Sequence, residues 1–127
     1  MDAFVAVTTL RKIDPLSIAF ETSLEVAKEH IAAREYEAAW LALERAHVLS
    51  QPNVWRHLRS HWWMLRCGIA SWNAREIFGQ MIRLALAGPG TIFNKYPRGN
   101  TGRSNVDMYL TMPIDPDIER LLDQPAK

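Results

Sequence analysis

Over four stretches of this chain the apolar residues recur every three or four positions, the period of a helix with one face turned inward. Leu16, Phe20, Leu24, Ala27 and Ile31 form the first stripe, over residues 14–33. Asp14 is placed to cap that helix and Pro15 to open it, where its missing N–H costs nothing. After a break at Arg34-Glu35, Tyr36, Ala39, Trp40, Leu43, Ala46 and His47 mark one face of a second helix, which ends near Ser50 ahead of Pro52. A third helix is expected over residues 53–70, with Val54, Leu58, His61, Leu65 and Ile69 along one side and Trp55, Trp62 and Trp63 widening its apolar surface. Ser71-Trp72-Asn73 reads as a turn. A fourth helix, over residues 74–87, is expected to bury Ile77, Phe78, Met81, Leu84 and Ala85 before Gly88-Pro89-Gly90 ends it.

The periodicity then stops. Residues 91–116 are rich in Gly, Pro and Asn, and a loop this long in a compact domain is either functional or pinned across the fold. Its Phe93, Tyr96, Val106, Met108, Tyr109 and Ile114 predict pinning by apolar contacts. Asp115-Pro116 caps a last short helix through Leu122, followed by a tail over 123–127. Ahead of the helices, residues 4–10 are β-prone without a partner strand, so 1–13 is expected as an arm and 14–127 as a single helical domain. The fold class is all-α: two antiparallel helical hairpins, a long pinned loop and a short C-terminal helix. Tyr36 and Trp72 fall at like positions of the two hairpins, and the first hairpin has tetratricopeptide-like spacing of aromatic and small residues. The second matches that repeat poorly, with Arg75 where Ala39 stood.

Composition narrows the function classes. With 127 residues, 48% of them apolar, the chain has material for one core. The net charge is +1, and the eleven arginines are spread along the sequence instead of bunched, which argues against nucleic acid as a partner. Cys67 stands alone, so no internal disulfide forms, and a buried, inert thiol in a reducing, cytoplasmic setting is the expectation. Residues 1–13 lack the basic start and cleavage pattern of a secretory signal, and no apolar run approaches the ~18 residues of a membrane span.

Residues 44–63 hold three of the four histidines and three of the five tryptophans. If Pro52 folds the second and third helices into a hairpin, residues equidistant from it lie level, so His47 faces His57 and Glu44 faces His61. Glu44 and His47 stand at i, i+3, and His57 and His61 at i, i+4, each pair on one helix face. Glu44, His47, His57 and His61 thus form a candidate ligand set for a divalent transition metal, zinc among those it would suit. Asn100 and Thr101 are expected to support it from the loop. Catalysis is not implied: if the three histidines alone held the ion, Glu44 could act as a general base. Glu44-x-x-His47 also has the form of half a carboxylate di-iron site, which would need a second copy from a symmetric dimer. The alternative is an interaction module with structural histidines, in which the Trp-rich face receives a second subunit or another protein. His30 reads as a surface histidine. Arg98 to Arg103 reads as a glycine-rich turn fixed by Asn100 and Thr101, not as an anion nest.

Leu43-Glu44-Arg45-Ala46-His47-Val48-Leu49, His57-Leu58-Arg59-Ser60-His61-Trp62-Trp63-Met64-Leu65, Gly99-Asn100-Thr101-Gly102 and Met112-Pro113-Ile114 resemble a family of small bacterial proteins, domain-of-unknown-function family 3703. The resemblance spans roughly residues 20–122. It implies that Glu44, His47, His57 and His61 and the Gly99 to Gly102 turn belong to the family's pattern, and it supplies no activity.

Overall fold

The computed structural model describes residues 14–92 and 96–124; the expected arm, Phe93 and the end of the tail lie outside them. Five helices follow one another: α1 (Pro15–Ala32), α2 (Tyr36–Ser50), α3 (Val54–Ala70), α4 (Ala74–Ile92) and α5 (Pro116–Leu122), with no strand among the described residues. The helices α1 and α2 pair, α3 and α4 pair, and α2 joins the two hairpins by packing on α3. Helix α5 lies against α1 and α2. No helix among the described residues is long and apolar enough to cross a membrane.

Local chemistry sets the ends. The Asp14 carboxylate accepts from the Leu16 N–H, and the Asn53 side chain accepts from the Arg56 N–H, each satisfying a donor that the first helical turn leaves unpaired. Both hairpin turns end their first helix in the same way. Arg34 and Trp72 adopt φ of 60° and 56°, and the next residue reaches back to the helix, Glu35 N–H to the His30 carbonyl and Asn73 N–H to that of Gly68, each at 2.9 Å. Trp72 therefore corresponds to Arg34, and the expected correspondence with Tyr36 gives way. Tyr36 instead sends its hydroxyl to the Ala70 carbonyl at the end of α3.

The first stripe is buried as its spacing implies: Phe20, Leu24 and Ala27 are sealed, and Ala39, Leu43, Ala46 and Leu49 of α2 meet them. The second hairpin departs from expectation. The buried side of α3 is His57, Ser60, His61, Met64, Cys67 and Gly68, while Trp55, Trp62 and Ile69 face outward. Close approach of α4 decides this rotation, because a Cβ on Gly68 would stand 3.2 Å from that of Glu76. Helix α4 is turned over as well, burying Glu76, Gln80 and Ala87 and exposing Phe78, Met81 and Ile82. Glu76, Gln80 and Arg83 form one polar stripe that hydrophobic period alone would turn to water; buried partners for Glu76 and Gln80 turn it inward. The helix also continues past residue 87 through Pro89. Ala85 and Pro89 are both exposed, so the carbonyl that loses a donor to the proline faces water.

The loop packs across the helices, but polar groups hold it. The Gln51 side chain donates to the Pro97 carbonyl and accepts from the Gly99 N–H, while Tyr109 and Leu110 stay exposed. Cys67 is buried, and burial pushes its thiol up to about 11, which leaves it inert as expected.

Trp72 is 91% exposed, so its side chain adds little packing while its left-handed backbone carries strain. Trp72→Gly should raise unfolding stability by about 0.5–1 kcal/mol, and Trp72→Ala should not, as read from urea denaturation. A loss on the glycine change would contradict this account of the turn.

Candidate metal centre

Helix α2 carries His47 in its last turn, and the first two turns of α3 carry His57 and His61, so three imidazoles meet where the helices pack. Their Nε2 atoms form a nearly equilateral triangle: 3.1 Å from His47 to His57, 3.1 Å from His47 to His61 and 3.2 Å from His57 to His61. All three side chains are buried, and this is the one such group among the described residues.

The groups behind the rings fix which nitrogen carries the proton. His47 Nδ1 stands 2.7 Å from the Asn100 carbonyl, which only accepts, so Nδ1 is protonated and Nε2 presents a lone pair. His61 Nδ1 stands 2.7 Å from Gln80 Oε1. The Gln80 amide nitrogen donates to Glu76 and to the Gly102 carbonyl, so its oxygen must face the ring and His61 Nε2 is again a lone pair. The contact between His47 and His61 therefore holds no proton to share. Two lone pairs at 3.1 Å, with the third ring beside them, are an arrangement that a cation stabilises. The corners of the triangle lie ~1.8 Å from its centre, close to the ~2.0–2.1 Å of a metal–imidazole bond, so the three Nε2 atoms are spaced to hold one ion together.

Burial holds His47 far below the ordinary histidine range; it brings His57 to about 4 and His61 to about 3, against a Gln80 hydrogen bond that works the other way for His61. The imidazoles are thus neutral, as ligation requires. The rings therefore stay neutral well below pH 6.5, the value of a free histidine.

Of the expected ligands, Glu44 is not brought in. Its carboxylate turns to Arg103, 3.8 Å away, and His61 is oriented by Gln80 instead of by Glu44. The reason is charge: the Arg103 guanidinium lies between Glu44 and the buried Glu76, at 2.8 Å from the latter, and stacks on Trp40 at 3.9 Å. A half di-iron motif and a general-base role for Glu44 both fall with that placement. Asn100 supports His47 through its backbone carbonyl, while its side chain ties the Gly102, Asp107 and Leu110 backbone together. Thr101 does not touch the histidines; its hydroxyl accepts from the Arg103 N–H. Gly102, at φ +83°, lies so close that a Cβ would stand 2.7 Å from the His47 ring. His30 pairs with Glu35 at the surface, away from the cluster. Arg98 and Arg103 of the glycine-rich turn each have a carboxylate partner, Asp123 and Glu76.

Sequence reasoning missed Gln80, Glu76 and Arg83. The available signal was Glu76 and Gln80 at i, i+4 with Arg83 next in line, a polar stripe on an otherwise apolar helix. The three histidines and Arg83 line one cavity of about 80 Å³, whose walls include Ala87, Pro97, Met108 and Tyr109.

The lowered histidine values make the metal-free protein acid-sensitive. Between about pH 6.5 and pH 4 unfolded histidines bind protons that folded ones refuse, so stability is complete above 6.5 and is lost as pH falls through that window. For His57 alone the difference corresponds to about 3 kcal/mol. The urea midpoint should drop steeply from pH 7 to 4.5 in wild type and less in His57→Gln, with His30→Ala matching wild type. A flat profile would contradict the buried, neutral state.

Neither the curated proteins nor the solved structures include a match to the chain. A family model does match, described as "Protein of unknown function (DUF3703)", over residues 14–122, the span that holds the five helices of the described residues and the histidine centre. The chain belongs to that family.

Proposed function

We propose that the protein binds a divalent transition metal ion through Nε2 of His47, His57 and His61, with zinc as the first ion to test. The observation that carries this is the pair of tautomer-locked lone pairs 3.1 Å apart on His47 and His61, closed into a triangle by His57. Three neutral histidine nitrogens match the donor count of the open form of zinc site, which keeps a position for a further ligand. Bound there, the ion would supply Lewis acidity at the wall of the cavity. The chain's own part is to hold the rings: Asn100 and Gln80 keep both Nδ1 atoms protonated, and Glu76 with Arg103 keeps Gln80 facing His61.

Untagged protein titrated with zinc or cobalt should bind one equivalent and gain thermal stability. His47→Ala, His57→Ala and His61→Ala should each abolish that gain, and the double variants should lose no more than the single ones, because one missing ligand forfeits most of the binding. Gln80→Leu should keep the ligands yet weaken affinity about ten- to a hundredfold by freeing the His61 tautomer. Absence of a melting shift with zinc, cobalt or nickel at neutral pH would overturn the proposal.

A second reading concerns the surface, and the inverted α4 favours it. Phe78, Met81 and Ile82 of α4, with Trp62 and Ile69 of α3, are each at least half exposed. With Leu86 they make six large apolar side chains turned outward on α3 and α4, of the type that interfaces bury. A second copy of this chain is the occupant we favour. Light scattering should give a dimer at micromolar concentration, and Ile82→Glu should return a monomer with unchanged metal binding. A wild-type monomer at 100 μM would remove this reading.

A further inference from the structure

The cavity beside the histidines has walls of a particular kind, and they bear on what the fourth ligand would be. Arg83 of α4 lines it, and no aspartate or glutamate does. The Arg83 guanidinium donates to the Gly79, Arg103 and Val106 carbonyls, which occupies three of its five N–H groups. It has no carboxylate within ion-pair distance among the described residues, unlike Arg45, Arg59, Arg98 and Arg103. Glu76, the nearby buried carboxylate, is already engaged by Arg103 and Gln80.

Charge balance follows directly. Three neutral imidazoles add nothing to the charge of a divalent ion, and Arg83, on which Glu76 and Asp107 act only from beyond ion-pair distance and without lining the cavity, adds one more positive charge to the same half-buried space. A site of that charge in low dielectric calls for an anion. The rest of the wall is Leu86, Ala87, Pro97, Met108, the rings of Tyr96 and Tyr109, and Gln51, whose amide is engaged by the Pro97 carbonyl and the Gly99 N–H, a lining that suits an organic remainder better than a phosphate that would need donors on every oxygen. The cavity, about 80 Å³, has room for a ligand of a few heavy atoms.

We propose that the three-histidine centre takes a small carboxylate anion as its fourth ligand, one carboxylate oxygen on the ion and the other toward Arg83, with the short apolar remainder against the half-buried Met108 and Tyr96. This inference rests on the metal reading, and the experiment separates the two. Cobalt-loaded protein, its loading measured by metal analysis, is titrated with acetate and with propionate at constant ionic strength in perchlorate, while the visible cobalt bands are followed. The expected result is a saturable band shift with both carboxylates and none with perchlorate.

Tyr109 is exposed at the mouth of the cavity and makes no contact with the histidines, so its replacement leaves the centre standing. Tyr109→Glu should weaken acetate binding at least fivefold through like charge, whereas Tyr109→Gln should stay within twofold of wild type. Arg83→Gln should weaken it tenfold or more; because Arg83 also anchors the loop, the Tyr109 pair is the decisive one. Failure to load cobalt would remove both the metal reading and this one. Full loading with unshifted bands, a shift produced by inorganic phosphate alone, or equal acetate affinity in Tyr109→Glu and Tyr109→Gln would each overturn the carboxylate proposal and leave metal binding intact.

Discussion

Two imidazole lone pairs face each other in the middle of this fold, and much of the surrounding structure exists to keep them there. A histidine pair left to itself would share a proton, with one Nε2 donating to the other. Here His47 has its proton fixed on Nδ1 by a carbonyl, and His61 has its own fixed by an amide oxygen, so neither can give way. Burial then opposes protonation of any of the three rings. The outcome is two acceptors held face to face, with His57 Nε2 the one corner of the triangle whose proton these partners do not fix.

The supports of this centre come from elements far apart in the chain, and they are interlocked. Gln80 can present its oxygen to His61 only because Glu76 and the Gly102 carbonyl take its two N–H groups. Glu76 can stay charged while buried because Arg103, Gln80 and the Ser104 N–H satisfy it, which holds its carboxyl below the ordinary value despite the cost of burial. Arg103 is itself held against Trp40 of α2. The loop therefore acts as a third support beside α2 and α4, and Gly102 gives it room to approach the His47 ring. Breaking one such partner leaves a buried charge exposed to low dielectric, so the network behaves as a unit.

A consequence reaches the surface. Helix α4 must turn Glu76, Gln80 and Arg83 inward, and its apolar residues Phe78, Met81 and Ile82 are carried outward by the same rotation. The polar centre and the apolar exterior are two results of one helix orientation.

The sequence by itself determined the helices, their order and most of their ends, because period, caps and prolines are local properties. Asp14-Pro15, Asn53 and Pro52 act within a turn of where they stand, and the stripe from Leu16 to Ile31 has only one apolar side to bury. The convergence of His47, His57 and His61 was legible too, since a hairpin about Pro52 makes their meeting a matter of counting. The tertiary structure decided the rest. Glu44 satisfied every local test for a ligand, and only the arrival of Arg103, nearly sixty residues later in the chain, drew its carboxylate away. The rotation of α4 runs against its own period, which would turn the stripe of Glu76, Gln80 and Arg83 to water; the long-range partners of Gln80 and Glu76 turned it inward. The loop, read as pinned by its apolar residues, is so held at Ile114, which packs on the core, and is pinned elsewhere by Asn100 and Gln51, since a buried backbone must have its hydrogen bonds met whatever the nearby side chains are.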